Sequence, residues 1–248
     1  MKLLTFIMLA SISQYSFART LSVGWELWYP YQYRDTDHKL SGLDVEIFNS
    51  IAKKANLDAD YVELPWKRHL RYIESGDIDI ALGSSPTKER EQYAYFTVPY
   101  RVETVKLFIR AGEKLPLKSI SELCNTHYSI ATERGYFYGD EFAKSSKLKC
   151  FQTHIYEVID IEQSIEMLLK GRINGLLADP HTIAAFSKKY KITGQIEAHP
   201  VKIYQTKIHI MLSKKSLNKR VLTKIDNAII ALKNEGVIEK ILSKWQLH

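Results

Sequence analysis

Residues 44–55 read DVEIFNSIAKKA, and Ile47, Phe48, Ile51, Ala52 and Ala55 recur there at the spacing of one helical face. Asp44 stands where a carboxylate meets the unpaired amides of a helix start. Upstream, Leu21-Ser22-Val23-Gly24-Trp25 has the composition of a short strand, and downstream Asp60–Leu64 has it again. Trp66, Leu70 and Ile73 then mark one face of a short helix that stops at Gly76, and Ile78–Leu82 forms the next strand. This β-α-β-α-β succession is the pattern of a parallel sheet covered by helices.

The pattern repeats more loosely toward the C-terminus. Thr104–Arg110 and Thr206–Leu212 are two long strands. Between them come a strand at Tyr128–Ala131, a turn into a helix over Gly135–Lys144, and an amphipathic helix at Ile161–Lys170 ended by Gly171. A strand at Ile173–Ala178 and a helix opened by Pro180 follow. Leu217, Val221, Ile225, Ile229 and Leu232 line a penultimate helix; Val237, Ile238, Ile241, Leu242 and Trp245 line the last. Two α/β lobes joined by two long strands explain this layout. Lobe 1 is expected over 19–106 and 208–248, lobe 2 over 107–207, with a ligand cleft between them.

Residues 1–18 read as a secretory signal peptide: Lys2, the apolar stretch Leu3–Ile12, and a small-x-small site at Ser16-Phe17-Ala18. The mature chain is expected to start near Arg19 and to reside in the periplasm. No later apolar run approaches the roughly 20 residues that span a bilayer. Of 248 residues, 45% are hydrophobic and 25% charged, an ordinary globular balance. The net charge of +7 falls by the one unit that Lys2 carries when the leader is removed. Its Lys and Arg residues are interleaved with acids rather than gathered in a stripe, which argues against nucleic acid as a partner. Cys124 and Cys150 are the two cysteines, and in an oxidising compartment an isolated pair suggests one disulfide. There is no Gly-x-Ser-x-Gly elbow, phosphate loop or His-Glu-x-x-His motif, and no cofactor or metal is expected.

Several segments, taken in order, resemble the bacterial extracellular solute-binding proteins of family 3, the polar amino-acid receptors of ABC importers. They are Leu40-Ser41-Gly42-Leu43-Asp44-Val45-Glu46-Ile47, then Gly76-Asp77-Ile78-Asp79-Ile80, then Ser85-Pro86-Thr87-Lys88-Glu89-Arg90. Phe96-Thr97-Val98-Pro99-Tyr100 and Gly171-Arg172-Ile173-Asn174-Gly175 through Asp179 complete the set. The resemblance covers essentially the whole mature chain. It implies a two-lobed periplasmic-binding-protein fold of type II, each lobe a helix-covered mixed sheet, with two hinge crossings. It also implies a monomer that captures a small polar ligand, an amino acid, for the permease of an ABC importer.

The resemblance also assigns residues. An α-amino acid carries a carboxylate and an ammonium, and burying either without a partner is costly. Arg90 stands at the family's carboxylate-binding position, Ser85 where a hydroxyl and amide assist, Asp179 at the ammonium-binding acid, and Gly83 where a carbonyl reaches the ammonium. Tyr29 and Trp66 best match the aromatics that sandwich the ligand side chain, with Trp25 and Trp28 near enough to compete. Glu26 matches a position whose acid touches the ligand's far end, which suits a cationic side chain. One departure stands out: where the family often has a threonine, this chain has an aromatic, Phe137 or Tyr136 depending on alignment.

Structural roles remain open for the two ions: Arg90 tying down its own loop, Asp179 capping the helix that Pro180 opens. Two other functions also stay open. One is an enzyme on the same scaffold, resembling the periplasmic dehydratases of cyclohexadienyl acids, with Glu26, Glu133 or Asp179 as general acid. The other is a diffusible ligand-binding partner of a membrane sensor.

Overall fold

The computed structural model describes residues 19–245; the expected leader lies outside them. The first half runs β1 (Leu21–Trp25), a small hairpin of β2 (Tyr33–Arg34) and β3 (Leu40–Ser41), α1 (Leu43–Ala55), β4 (Ala59–Glu63), α2 (Trp66–Ser75) and β5 (Ile80–Ser84). It continues through α3 (Arg90–Tyr93) and β6 (Ala94–Phe96) into the long strand β7 (Arg101–Arg110). A 3-10 turn at Ile120–Asn125 leads to β8 (Ile130–Glu133), α4 (Asp140–Ser145), α5 (Lys149–Gln152), β9 (Ile155–Val158), α6 (Ile161–Leu169), β10 (Gly175–Ala178) and α7 (Pro180–Lys189). The 18-residue β11 (Ile196–Ser213), α8 (Lys219–Asn234) and α9 (Val237–Lys244) complete the described chain.

The strands form two groups joined through β11, in the order β4-β1-β5-β11-β7-β10-β8-β9. β1 pairs in parallel with β4 and β5, as the opening β-α-β-α-β run requires. β10, β8 and β9 are likewise parallel to one another. β7 is antiparallel to both β10 and β11, which makes the second sheet mixed. Along β11, Ile196–Ile208 pairs with β7, and His209–Leu212 then pairs with β5. The chain therefore passes between the two halves on adjacent strands, near Arg101 and near Ile208.

Each half has its own core. Val23, Ile47, Phe48, Ile51 and Ile80 pack with Ile225, Ile229, Ile238 and Ile241, so the last two helices return to the first lobe. In the second lobe, Leu176 and Leu177 point to opposite faces of β10. Leu177 joins Leu107, Ile130 and Phe151, and Leu176 joins Val158, Ile165, Leu168 and Phe186. Helix starts follow capping chemistry: Asp160 accepts from the Gln163 amide and Asn218 from the amides of Arg220 and Val221. Cys124 and Cys150 are joined in a disulfide that ties the 3-10 turn to α5, with Cα atoms 5.1 Å apart.

The helix-start role expected of Asp44 is not what the structure has. Gly42 precedes α1 and no side chain caps it. The Asp44 carboxylate instead accepts from Arg101, Nε to Oδ1 at 2.7 Å and Nη2 to Oδ2 at 3.0 Å, and both side chains are buried. The strand expected at Ile78–Leu82 begins two residues later, because Asp79 turns inward to accept from Arg19 and from the Ser22 amide and hydroxyl.

Candidate functional site

Between the lobes lies a narrow cavity of about 30 Å³, enough for about two water molecules. From the first lobe Glu26, Trp28, Trp66, His69, Gly83, Ser85 and Arg90 line it. Glu103 and Val105, two residues apart and so on one face of β7, form part of its wall. From the second lobe come Glu133, Tyr136, Phe137, Tyr138, Asp179 and Thr182.

Arg90 opens α3 and is only 6% exposed. Nη1 donates to the Ser85 carbonyl at 2.9 Å and Nη2 to the Gly135 carbonyl across the cleft at 3.0 Å. Its guanidinium carbon lies 5.5 Å from the centre of the Trp66 ring. It has no carboxylate partner among the described residues, and burial lowers its pKa. An arginine nonetheless stays charged, so a buried cation faces this space with donors to spare.

Asp179 takes the structural role that the sequence left open and also stands on the cavity wall. As the cap of α7 it accepts from the His181 amide at 2.8 Å, and it also lines the cavity. The same Oδ1 accepts from the Tyr31 hydroxyl at 2.8 Å. Glu26 spans the cleft in the other direction: Oε2 accepts from the Trp66 amide at 2.7 Å and Oε1 from the Tyr136 hydroxyl at 2.5 Å. Burial pushes the Glu26 carboxyl up to about 7 despite these two bonds.

Gly83 adopts φ +68°, and a Cβ there would lie 2.6 Å from the Trp28 ring. Its conformation and its closeness to that ring both require glycine. Ser85 is buried on the same wall. Both aromatics at the departure from the family pattern face the cavity. Tyr136 makes the polar contact, and Phe137 packs edge-on against Tyr204 with ring centres 5.3 Å apart.

Of the residues expected at the site, Tyr29 does not line this cavity. Its ring packs edge-on against Tyr33 and Phe186, at 4.7 and 5.7 Å, in the core side of the second lobe. Trp28, one residue earlier, turns into the cavity in its place. Sequence reasoning passed over His69, Glu103 and Thr182 as cavity residues. Each carried a periodic signal: His69 lies one helical turn after Trp66, Thr182 three residues after Asp179, and Glu103 two before Val105. His69 is buried with its pKa lowered to about 4 by desolvation. The nearby Ile80 backbone only partly offsets this, and no hydrogen bond of ordinary geometry reaches either ring nitrogen.

Two lobes hinged on paired strands, with an aromatic and charged cavity between them, define a ligand-binding clamp. The chain matches the family model of bacterial extracellular solute-binding proteins, family 3, over residues 21–248, and it belongs to that family. It is 21% identical over 228 residues to the L-cystine-binding protein TcyJ of Escherichia coli (strain K12), covering 91% of this chain and 82% of the relative. A probable amino-acid ABC transporter-binding protein of Haemophilus influenzae is 24% identical over 229 residues, covering 92% and 84%. In fold, the chain is similar to an ancestral arginine-binding protein bound to arginine, with a TM-score of 0.80, 23% identity, and coverage of 93% of this chain and 100% of the other.

Proposed function

We propose that this protein captures an amino acid between its lobes in the periplasm and delivers it, as a monomer, to the permease of an ABC importer. The observation that carries this reading is Arg90: a buried guanidinium, without an acidic partner, facing the cavity beside Trp66. A buried cation of this kind is suited to a ligand carboxylate, which it grips in a planar fork. Ser85 adds a hydroxyl on the same wall.

Asp179 stands on the opposite lobe and takes the ligand's ammonium, assisted by the backbone at Gly83. Trp28 and Trp66 flank the side chain, and Glu26, with Tyr136 and Phe137, meets its far end. A ligand that bridges acid and guanidinium binds the closed arrangement better than the open one and so shifts the lobes toward closure. Lobe 1 then comprises 19–106 and 208–248, lobe 2 comprises 107–207, and β7 and β11 act as the hinge. The protein itself carries out no reaction; it binds and releases.

Intrinsic tryptophan fluorescence, titrated with a panel of amino acids, tests the reading, because Trp28 and Trp66 line the cavity. Saturable quenching or enhancement is expected for one or a few of them. Arg90→Ala is expected to weaken the best ligand by at least about 2 kcal/mol, the cost of leaving a carboxylate unpaired. Unaltered affinity in that variant removes the site assignment, and no saturable response to any amino acid removes the function.

A further inference from the structure

A second, larger hollow lies along the hinge, and it shares no lining residue with the cleft cavity. Its volume is about 670 Å³, within the roughly 300–1,000 Å³ of small-molecule sites. Val102 on β7 and Lys207 on β11 are direct cross-strand partners, and both line it. Tyr31 and Leu43 bring the first lobe to it, and His181, at the start of α7, brings the second. Ile238, Leu242 and Trp245 stand four and three residues apart on α9 and its cap, so one helical face supplies a wall.

The hollow combines apolar walls with a surplus of positive charge. Val102 is 57% exposed. A lone exposed valine is ordinary, but this one shares a concave surface with Tyr100, Leu242 and Trp245. Lys207 and Lys233 also line it, and neither has an acidic partner among the described residues; Lys233 Nζ donates to the Pro99 carbonyl at 2.6 Å. Against these two lysines stands one acidic side chain, Glu239, while Arg101 is already neutralised by Asp44.

These features select a ligand chemistry. A cation would meet two lysines, and a plain hydrocarbon would leave both without a partner. An apolar body carrying one anionic head satisfies walls and lysines together, because charge-assisted bonds from ammonium to carboxylate are the strong ones.

We propose that the hinge hollow is a second binding site, for an organic carboxylate whose apolar body lies against α9 and Val102 and whose head is held by Lys207 and Lys233. The site is separate from the cleft, and the proposal does not depend on what the cleft binds. Such an anion touches both lobes and both hinge strands. Its affinity therefore depends on the angle between the lobes, and by reciprocity it biases that angle.

The test is calorimetric titration of the mature protein with octanoate, 2-naphthoate, octanol and octylammonium. At least one carboxylate is expected to saturate a single site and to bind at least about fivefold more tightly than octanol or octylammonium. Lys207→Met and Lys233→Met are each expected to weaken it at least about threefold. Val102→Glu changes an exposed side chain, so the fold should persist, and it is expected to abolish binding by setting a carboxylate in the hollow. Hydrogen exchange locates the anion: amides in segments 98–103, 205–209 and 237–245 are expected to slow when it binds. Failure of both carboxylates to bind overturns the proposal. So does binding of octanol or octylammonium as tight as that of the better carboxylate, or wild-type affinity in both lysine variants. Protection confined to segments 83–90 and 133–138 places the anion on Arg90 in the cleft and overturns it as well.

Discussion

The Tyr31 hydroxyl donates to Asp179 Oδ1 at 2.8 Å, joining a first-lobe aromatic to the acid that caps a second-lobe helix. With the Arg90–Gly135 and Tyr136–Glu26 bonds, it is one of three polar contacts described here that cross the cleft. A hydrogen bond to a charged group contributes about 1.5–3 kcal/mol. Tyr31→Phe is therefore expected to shift the ligand-free protein toward open forms by about tenfold or more. Small-angle X-ray scattering should show a larger radius of gyration for the variant, and an unchanged scattering profile would deny the bond a part in closure.

Burial of the Glu26 and Glu103 carboxyls gives stability an unusual dependence on pH. Both titrate near 7 in the folded protein against 4.5 for an ordinary glutamate. Between those values the folded state holds more protons than the unfolded one, so stability falls as pH rises. His69 works in the opposite sense, but only between about 4 and 6.5. From pH 6.5 to 8 the carboxyls dominate, and the melting temperature of the ligand-free protein is expected to fall. Glu26→Gln should flatten part of that slope. A melting temperature that climbs across this window contradicts the burial of these two acids.

Most of the architecture was legible because it rests on periodicity. Ile47, Phe48 and Ile51 marked α1, and the apolar stripes of α8 and α9 marked the return to the first lobe. Short elements such as α3, α5 and β9 escaped, since four residues are too few to show a period. At the site, Arg90, Asp179, Ser85, Gly83, Trp66, Glu26, Tyr136 and Phe137 gather at one cavity. The choice between Trp28 and Tyr29 was not legible. In this irregular segment a single residue's rotation decides which ring turns inward, and no repeat fixes that rotation. Gly24 makes a similar point. It reads as a weak spot in a strand, yet a Cβ there would sit 1.5 Å from His69 Nε2, so its reason lies in a neighbour 45 positions away.

The Cys124–Cys150 bond closes a segment spanning 26 positions. In the chain-entropy model a loop of this length stabilises the fold by roughly 3 kcal/mol. Reduction, or the paired Cys124→Ser and Cys150→Ser substitutions, is expected to lower the denaturant midpoint accordingly. Ligand affinity should change little, because neither cysteine lines the cavity. A midpoint unaffected by reductant would mean that the reduced chain is equally well ordered there.

The Asp44–Arg101 pair joins α1 of the first lobe to the start of β7, at the point where the chain leaves that lobe. Arg101 also lies over the Tyr31 ring, 4.1 Å from its centre, and over Trp28 at 5.1 Å. Burial alone would depress this guanidinium, but Asp44 together with Tyr100 and Tyr31 outweighs it and holds the pKa well above the usual value. Breaking such a pair strands a buried charge, which costs about 3–5 kcal/mol, whereas replacing both partners by apolar groups is often nearly neutral. Asp44→Leu and Arg101→Met are each expected to destabilise by that amount, and the Asp44→Leu/Arg101→Met double variant by markedly less than the sum. Denaturant titrations of the cycle would measure the coupling directly. Simple additivity would mean that water reaches the pair and that the hinge is held by other contacts.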